Sequence, residues 1–107
     1  MDRRKLAGRR AEADCAEYLR RRGYKILGMN YSCRVGELDI IAEKGGFVAF
    51  VEVKERANSG FAQAREAVTS AKRRKLRMAA QLWLAANETS LQPRFDVAEV
   101  YPGERGP

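Results

Sequence analysis

The sequence predicts an α/β fold, ordered α-β-β-β-α-β, in which a mixed four-stranded sheet is flanked by helices. Three observations lead there. An Ala-, Leu-, Arg- and Glu-rich segment opens the chain, and two β-rich runs meet at Gly45-Gly46. A second helical segment then separates those runs from a last strand, which implies a helical crossover and one parallel pairing.

Residues 5–22 read as the first helix, closed by Gly23 in the place of a C-terminal cap. At about 100° per residue, Gly8, Ala11, Cys15 and Leu19 share one face, with Glu12 and Ala16 at its edge. Residues 24–31 and 36–43 read as strands, and Phe47–Lys54 as a third with strong β composition. The polar stretch Glu55–Ala64, which contains Ser59-Gly60, reads as a mobile loop. Residues 65–70 read as a short helix and 71–87 as a longer one, its apolar face made by Leu76, Ala79, Ala80, Trp83 and Ala86. Pro93 precedes the last strand, Phe95–Val100, and residues 101–107 read as a frayed end. No repeat or linker divides the 107 residues, so a single domain over 1–107 is expected.

Charge narrows the partner. Lys plus Arg is 21 and Asp plus Glu is 14, a net charge of +7, which favours an anionic partner, nucleic acid first and a membrane surface second. Residues 1–25 carry nine basic and four acidic groups, and residues 54–87 eight and two. Residues 26–53 and 88–107 each carry two basic and four acidic groups, so two basic segments bracket an acidic middle. The runs Lys72-Arg73-Arg74-Lys75 with Arg77, and Arg3-Arg4-Lys5 with Arg9-Arg10, are candidate phosphate contacts. The alternative for each run is a solvated helical face. Trp83 and most other aromatics read as core, so backbone and shape would be read rather than stacked bases.

Composition also excludes. The chain has no His, which removes Ser-His-Asp and Cys-His catalysis and His-ligated zinc. Cys15 and Cys33 form no C-x-x-C pair, which argues against a zinc ribbon or disulfide framework and suits a reducing cytoplasm. No apolar run approaches the roughly 18 residues of a membrane span. The opening MDRRKLAGRR lacks the apolar core of a secretory signal, so the cytoplasm is the expected location.

The Gly45-Gly46 turn sets a register in which Lys44 pairs with Phe47. Asp39 would then face Glu52, and Glu37 would face Lys54, all four projecting from one face. Leu38, Ile40, Ala42, Phe47, Ala49, Val51 and Val53 would form the opposite, apolar face. Directly opposed carboxylates repel, at about 5 Å and an effective dielectric near 20 on the order of 3 kcal/mol before screening. A compensating cation is therefore expected: Lys54 in part, and more fully a divalent ion, since carboxylate, carbonyl and water oxygens suit Mg²⁺ or Mn²⁺. The alternative is a solvated charged face neutralised by Lys54 and a nearby Arg.

Asp39, followed after twelve residues by Glu52-Val53-Lys54, resembles the D…E-x-K core of the PD-(D/E)xK nucleases, which include restriction endonucleases and archaeal Holliday junction resolvases. The ordered set of Gly8, Glu12, Gly23-Tyr24, Asn30, Gly36-Glu37-Leu38-Asp39, Phe50-Val51-Glu52-Val53-Lys54, Lys72 and Arg94-Phe95-Asp96-Val97 resembles more closely the bacterial YraN-like family. The resemblance runs from about Gly8 to Val100. Leu38 stands where a Pro often precedes the Asp in the superfamily. It implies a restriction endonuclease-like core and a Mg²⁺- or Mn²⁺-dependent endonuclease. Asp39 and Glu52 would hold the metal with the Val53 carbonyl, and Lys54 would orient water or stabilise the transition state. Glu12 would match the helix-borne Glu of the resolvases, or else form a salt bridge to an Arg. Lys72 would touch phosphate or remain solvated, and Glu37 would hold Lys54 from outside the ligand set or be an ordinary cross-strand partner. DNA is expected ahead of RNA. A homodimer accords with the resemblance, but no dimer seam is readable.

Two other classes compete with the enzyme. One is a catalytically silent nucleic-acid-binding module, including a double-stranded-RNA-binding domain, which also begins α-β-β-β-α. The other is a small structural partner of a repair or ribosomal assembly. The last strand and the Asp39/Glu52/Lys54 group argue against the RNA-binding domain.

Overall fold

The computed structural model describes residues 3–55 and 70–101, with side chains from Arg9 onward in the first helix. Helix α1 (Arg3–Arg21) is followed by β1 (Lys25–Cys33), β2 (Gly36–Lys44) and β3 (Phe47–Glu55), then helix α2 (Ser70–Ala86) and strand β4 (Gln92–Val100). The sheet order is β1-β2-β3-β4; β1, β2 and β3 are antiparallel, and β4 lies parallel to β3. This is the expected mixed sheet. The loop expected over 56–64, the short helix over 65–69 and the end at 102–107 lie outside the described residues. Glu55 instead closes β3, and Ser70 opens α2.

Helix α1 ends as its sequence implies. Gly23 has φ +92°, its N–H donates to the Arg20 carbonyl at 3.0 Å, and the Tyr24 N–H reaches back to Leu19 at 3.0 Å. These are the two bonds of a Schellman cap, and Leu19 and Tyr24 pack on the same core as its apolar contact. The β2–β3 turn carries positive φ at both Gly45 (+59°) and Gly46 (+84°), which matches the twist of the strands it joins. The pairing runs from Lys44–Phe47 to Ile40–Val51, in the register expected. Strand β4 begins three residues earlier than expected and includes Pro93. It is an edge strand, where a missing N–H is tolerated.

The sheet has two apolar faces, not one apolar and one charged. On one, Ala11, Cys15 and Ala16 of α1 pack on Ile40, Ala42, Ala49, Val51 and Val100. On the other, Ala79, Ala80 and Trp83 of α2 pack on Leu38, Ile41, Val48 and Phe50, with the Phe50 and Trp83 rings edge-on at 5.8 Å. Leu76 and Leu84 flank this second core, whereas Ala86, expected on the apolar face, is exposed. Phe47 and Phe95 are exposed as well.

Leu38 and Ile40 are two residues apart and should share a face, yet they enter opposite cores. Their partners on β1 behave alike: Met29, opposite Ile40, joins the α1 core, and Tyr31, opposite Leu38, joins the α2 core. Between Met29 and Tyr31 lies Asn30 with φ +54°, the left-handed conformation that Asn tolerates better than other side-chain-bearing residues. Both strands change faces at the level of Asn30 and Asp39. Regular alternation fails there, which overturns the single apolar face expected from Leu38 to Val53.

Candidate active site

The site lies where β2 parts from β3. The β2–β3 pairing stops at Ile40–Val51, so Asp39–Glu52 and Glu37–Lys54 are not paired positions of the ladder. The Asp39 carboxylate instead accepts the Val53 backbone N–H at 2.8 Å. A side chain has replaced the cross-strand carbonyl, which fixes the carboxylate against β3.

The four carboxylates divide into two sets. Glu12 from α1, Glu37 and Asp39 each place a carboxylate oxygen within 4.8 Å of the other two. Glu37 is exposed and accepts the Ser32 hydroxyl at 3.2 Å. Glu12 is half-buried, and its Oε1 is buried without a hydrogen-bond partner among the described residues. Burial, and then Asp39, raise the Glu12 carboxyl above its ordinary range, and Asn30 opposes this by a hydrogen bond. Asp39 is raised too, first by burial and then by Glu52 and Glu37, against the Val53 N–H and Lys72. The same acids act on Cys15: burial, Asp39 and Glu12 push its thiol up to about 11, so it stays a neutral core residue.

Glu52 forms the second set, with lysines. It is only 7% exposed, and its Oε1 takes Lys72 Nζ at 2.5 Å and Lys54 Nζ at 3.4 Å. Its Oε2 is buried without a hydrogen-bond partner among the described residues. Lys72 arrives from the first turn of α2. Its presence lowers the Lys54 amine, helped by burial and opposed by Glu52. Burial would lower Lys72 as well, but Glu52, together with Lys54 and Asp39, outweighs it and holds that amine above its usual range.

Most residues singled out in the sequence therefore meet. Asp39, Glu52, Lys54, Glu12, Glu37, Val53 and Lys72 converge at the strand opening. Lys72 is paired with Glu52 while its side chain stays partly exposed, and Glu37 is held by Ser32 rather than by an opposed Lys54. Arg73, Arg74, Lys75 and Arg77 on α2, with Arg9 and Arg10 on α1, are exposed. Arg9 lies close enough to Glu12 to lower its pKa. The side chains of Arg3, Arg4 and Lys5 lie outside the described residues. Asn30 is the site residue for which the sequence reading assigned no task; an Asn inside a β-rich run was the available signal. A separate groove of about 370 Å³ beside β4, lined by Tyr18, Tyr24 and Arg94 among others, holds none of the four acids. Among the described residues, no helix is long and apolar enough to cross a membrane.

The model of the uncharacterised protein family UPF0102 matches residues 11–100, a span that includes every acid and both lysines of the site. A UPF0102 protein of Symbiobacterium thermophilum is 45% identical over 100 residues, covering 92% of this chain and 85% of that one. One from Nocardia farcinica is 46% identical over 101 residues, covering 92% and 80%. One from Caldanaerobacter subterraneus subsp. tengcongensis is 42% identical over 99 residues, covering 92% and 81%. With the match running from the middle of α1 to the end of β4, this chain belongs to the UPF0102 family, the YraN-like proteins.

Proposed function

We propose that the protein is a cytoplasmic, Mg²⁺- or Mn²⁺-dependent endonuclease of the PD-(D/E)xK superfamily, hydrolysing DNA phosphodiester bonds, branched or damaged DNA included. The observation that carries this reading is the meeting of Asp39, Glu52 and Lys54 with the helix-borne Glu12 where β2 leaves β3. A divalent ion fits the donors. They are carboxylate and carbonyl oxygens, and two carboxylate oxygens, Glu12 Oε1 and Glu52 Oε2, are buried without a hydrogen-bond partner among the described residues. Asp39, Glu52 and the Val53 carbonyl would hold it, with Glu12 and Glu37 beside Asp39 as further acids. Such an ion would polarise a phosphate oxygen and make a water more acidic.

The chain's own residues do the rest. Lys54 and Lys72 offer two ammonium groups to a phosphate and the charge that develops on it. The Val53 N–H keeps the Asp39 carboxylate oriented toward the opening. Arg73, Arg74, Lys75 and Arg77, with Arg9 and Arg10, would contact the backbone on either side, independent of base sequence. The unpaired Cys15 and Cys33 suit a cytoplasmic setting.

One observation favours a second reading, a silent nucleic-acid-binding module of a repair or ribosomal assembly: Lys72 and Lys54 already neutralise Glu52. A double-stranded-RNA-binding form of it is opposed by β4, the parallel strand beside β3. An Mn²⁺ cleavage assay across duplex, single-stranded, flap and four-way DNA separates the readings. The nuclease should cut at least one of these, and Glu52→Gln or Asp39→Asn should stop it. Nucleic-acid binding without Mn²⁺ binding or cleavage would establish the module.

A further inference from the structure

Within the nuclease reading, on which this rests, Glu52 faces a conflict: the carboxylate needed for a divalent ion is already held by an amine from another element. Lys72 Nζ lies 2.5 Å from Glu52 Oε1, nearer than the 3.4 Å of Lys54. The two lysines are not equivalent. Lys54 is two residues from Glu52 on β3, and its side chain is 21% exposed. Lys72 reaches Glu52 from α2 on a flexible stem, and its side chain is 43% exposed, so it retains a path to solvent. Arg73, Arg74 and Lys75 follow it on the same helix, where a polyanion would settle.

We infer that Lys72 is a stand-in cation that guards the metal position: it occupies Glu52 in the metal-free protein, and a nucleic-acid phosphate draws it away, so that binding of the polyanion opens the site to the ion. An ammonium on Oε1 and a divalent ion on Oε2 compete for the charge of one carboxylate and repel each other. Phosphate removes that competition by taking Lys72 as its own partner. Because linkage is reciprocal, the ion should in turn strengthen phosphate binding by releasing Lys72. Lys72 is thus a positioning residue, and its contacts to Glu52 and to phosphate correspond to the idle and loaded states.

The test is calorimetric titration of Mn²⁺ into the full chain: wild type, Lys72→Met, Lys72→Gln, Arg73→Gln and Glu52→Gln. Each is titrated alone and with a short phosphorothioate DNA duplex, whose own Mn²⁺ uptake is subtracted. Without DNA, both Lys72 variants should bind Mn²⁺ on the order of tenfold more tightly than wild type. Arg73→Gln, which removes a neighbouring charge without touching Glu52, should gain far less. The duplex should tighten Mn²⁺ binding to wild type and leave the Lys72 variants nearly unchanged. Thermal melts confirm that both variants fold. Lys72 variants that bind like wild type, or gain no more than Arg73→Gln, overturn the inference. A duplex that fails to tighten the wild type overturns it too. In those cases, loss of binding in Glu52→Gln leaves the metal-site reading standing. If neither wild type nor the Lys72 variants take up Mn²⁺, the proposed function falls and the guard falls with it.

Discussion

Asp39 and Glu12 carry an electrostatic cost that the folded chain retains. Both carboxyls are raised by burial and neighbouring acids. Unfolded, they ionise near pH 4. Between that value and their raised folded values, the native state binds more protons than the unfolded one. Their contribution to stability therefore falls as pH rises through this window and stays lower above it. Asp39→Asn should make the metal-free protein more stable than wild type at neutral pH, because the Asn oxygen still accepts the Val53 N–H. It should also flatten the decline that sets in above about pH 4, measured by urea unfolding. An unchanged decline with no gain would contradict this account. Glu52→Gln should act in the opposite direction, because it leaves Lys54 and Lys72 side by side without their shared acid. Breaking a buried pair costs several kcal/mol, but Lys72 is partly solvated, so a loss of about 1–2 kcal/mol is expected. The spacing of Asp39, Glu52 and Lys54 around a Gly-Gly turn was enough to group these residues in sequence. The division into an acid set and a lysine-bound set was not legible, because it depends on where the ladder stops.

At the level of elements, Asn30 is the hinge of the site. Its positive φ lets β1 change faces beside Asp39, and its side chain also reaches Glu12. A β-branched residue is strained in that conformation, and Gly is not. Asn30→Val should cost about 1–3 kcal/mol, and Asn30→Gly clearly less, in thermal or denaturant melts. Equal losses would place the importance of Asn30 in its side chain alone. The same residue shows why part of the fold stayed hidden. The Gly23 cap, the Gly45-Gly46 turn and the β2–β3 register each follow from local chemistry and emerged as read. The second core of Ile41, Val48 and Phe50 did not, since an alternation argument assumes one buried face and a strand that never changes it. Helix α2 adds a further sign of use. It opens with Lys72-Arg73-Arg74-Lys75 and has no acid in its first turn, which sets cations against the positive end of its dipole. A bound polyanion would relieve that opposition.

For the whole molecule, the charge pattern becomes a measurable salt dependence. Arg73, Arg74 and Lys75 are exposed on the helix whose first turn enters the site. Replacing all three with Gln should weaken DNA binding across unrelated sequences, and each lost phosphate contact should reduce the log K versus log salt slope by about 0.9. An unchanged slope would assign these cations to solvent. The open order β1-β2-β3-β4 has another consequence, for the behaviour of many copies together. Among the described residues, strand β4 forms an edge of the sheet and bears exposed Phe95 and Val97, the kind of border on which a neighbouring chain can template itself. Two features blunt it: Pro93 supplies no N–H, and Arg94 is clasped to Asp96 at 2.9 Å, a pair that would have to be stripped of water before another strand could dock. Replacing Pro93 and Arg94 with Val should leave the isolated fold intact yet shorten its lifetime as a clear solution, with light scattering rising during refolding. The guard against fibre formation would then reside in Pro93, Arg94 and Asp96 of the last strand.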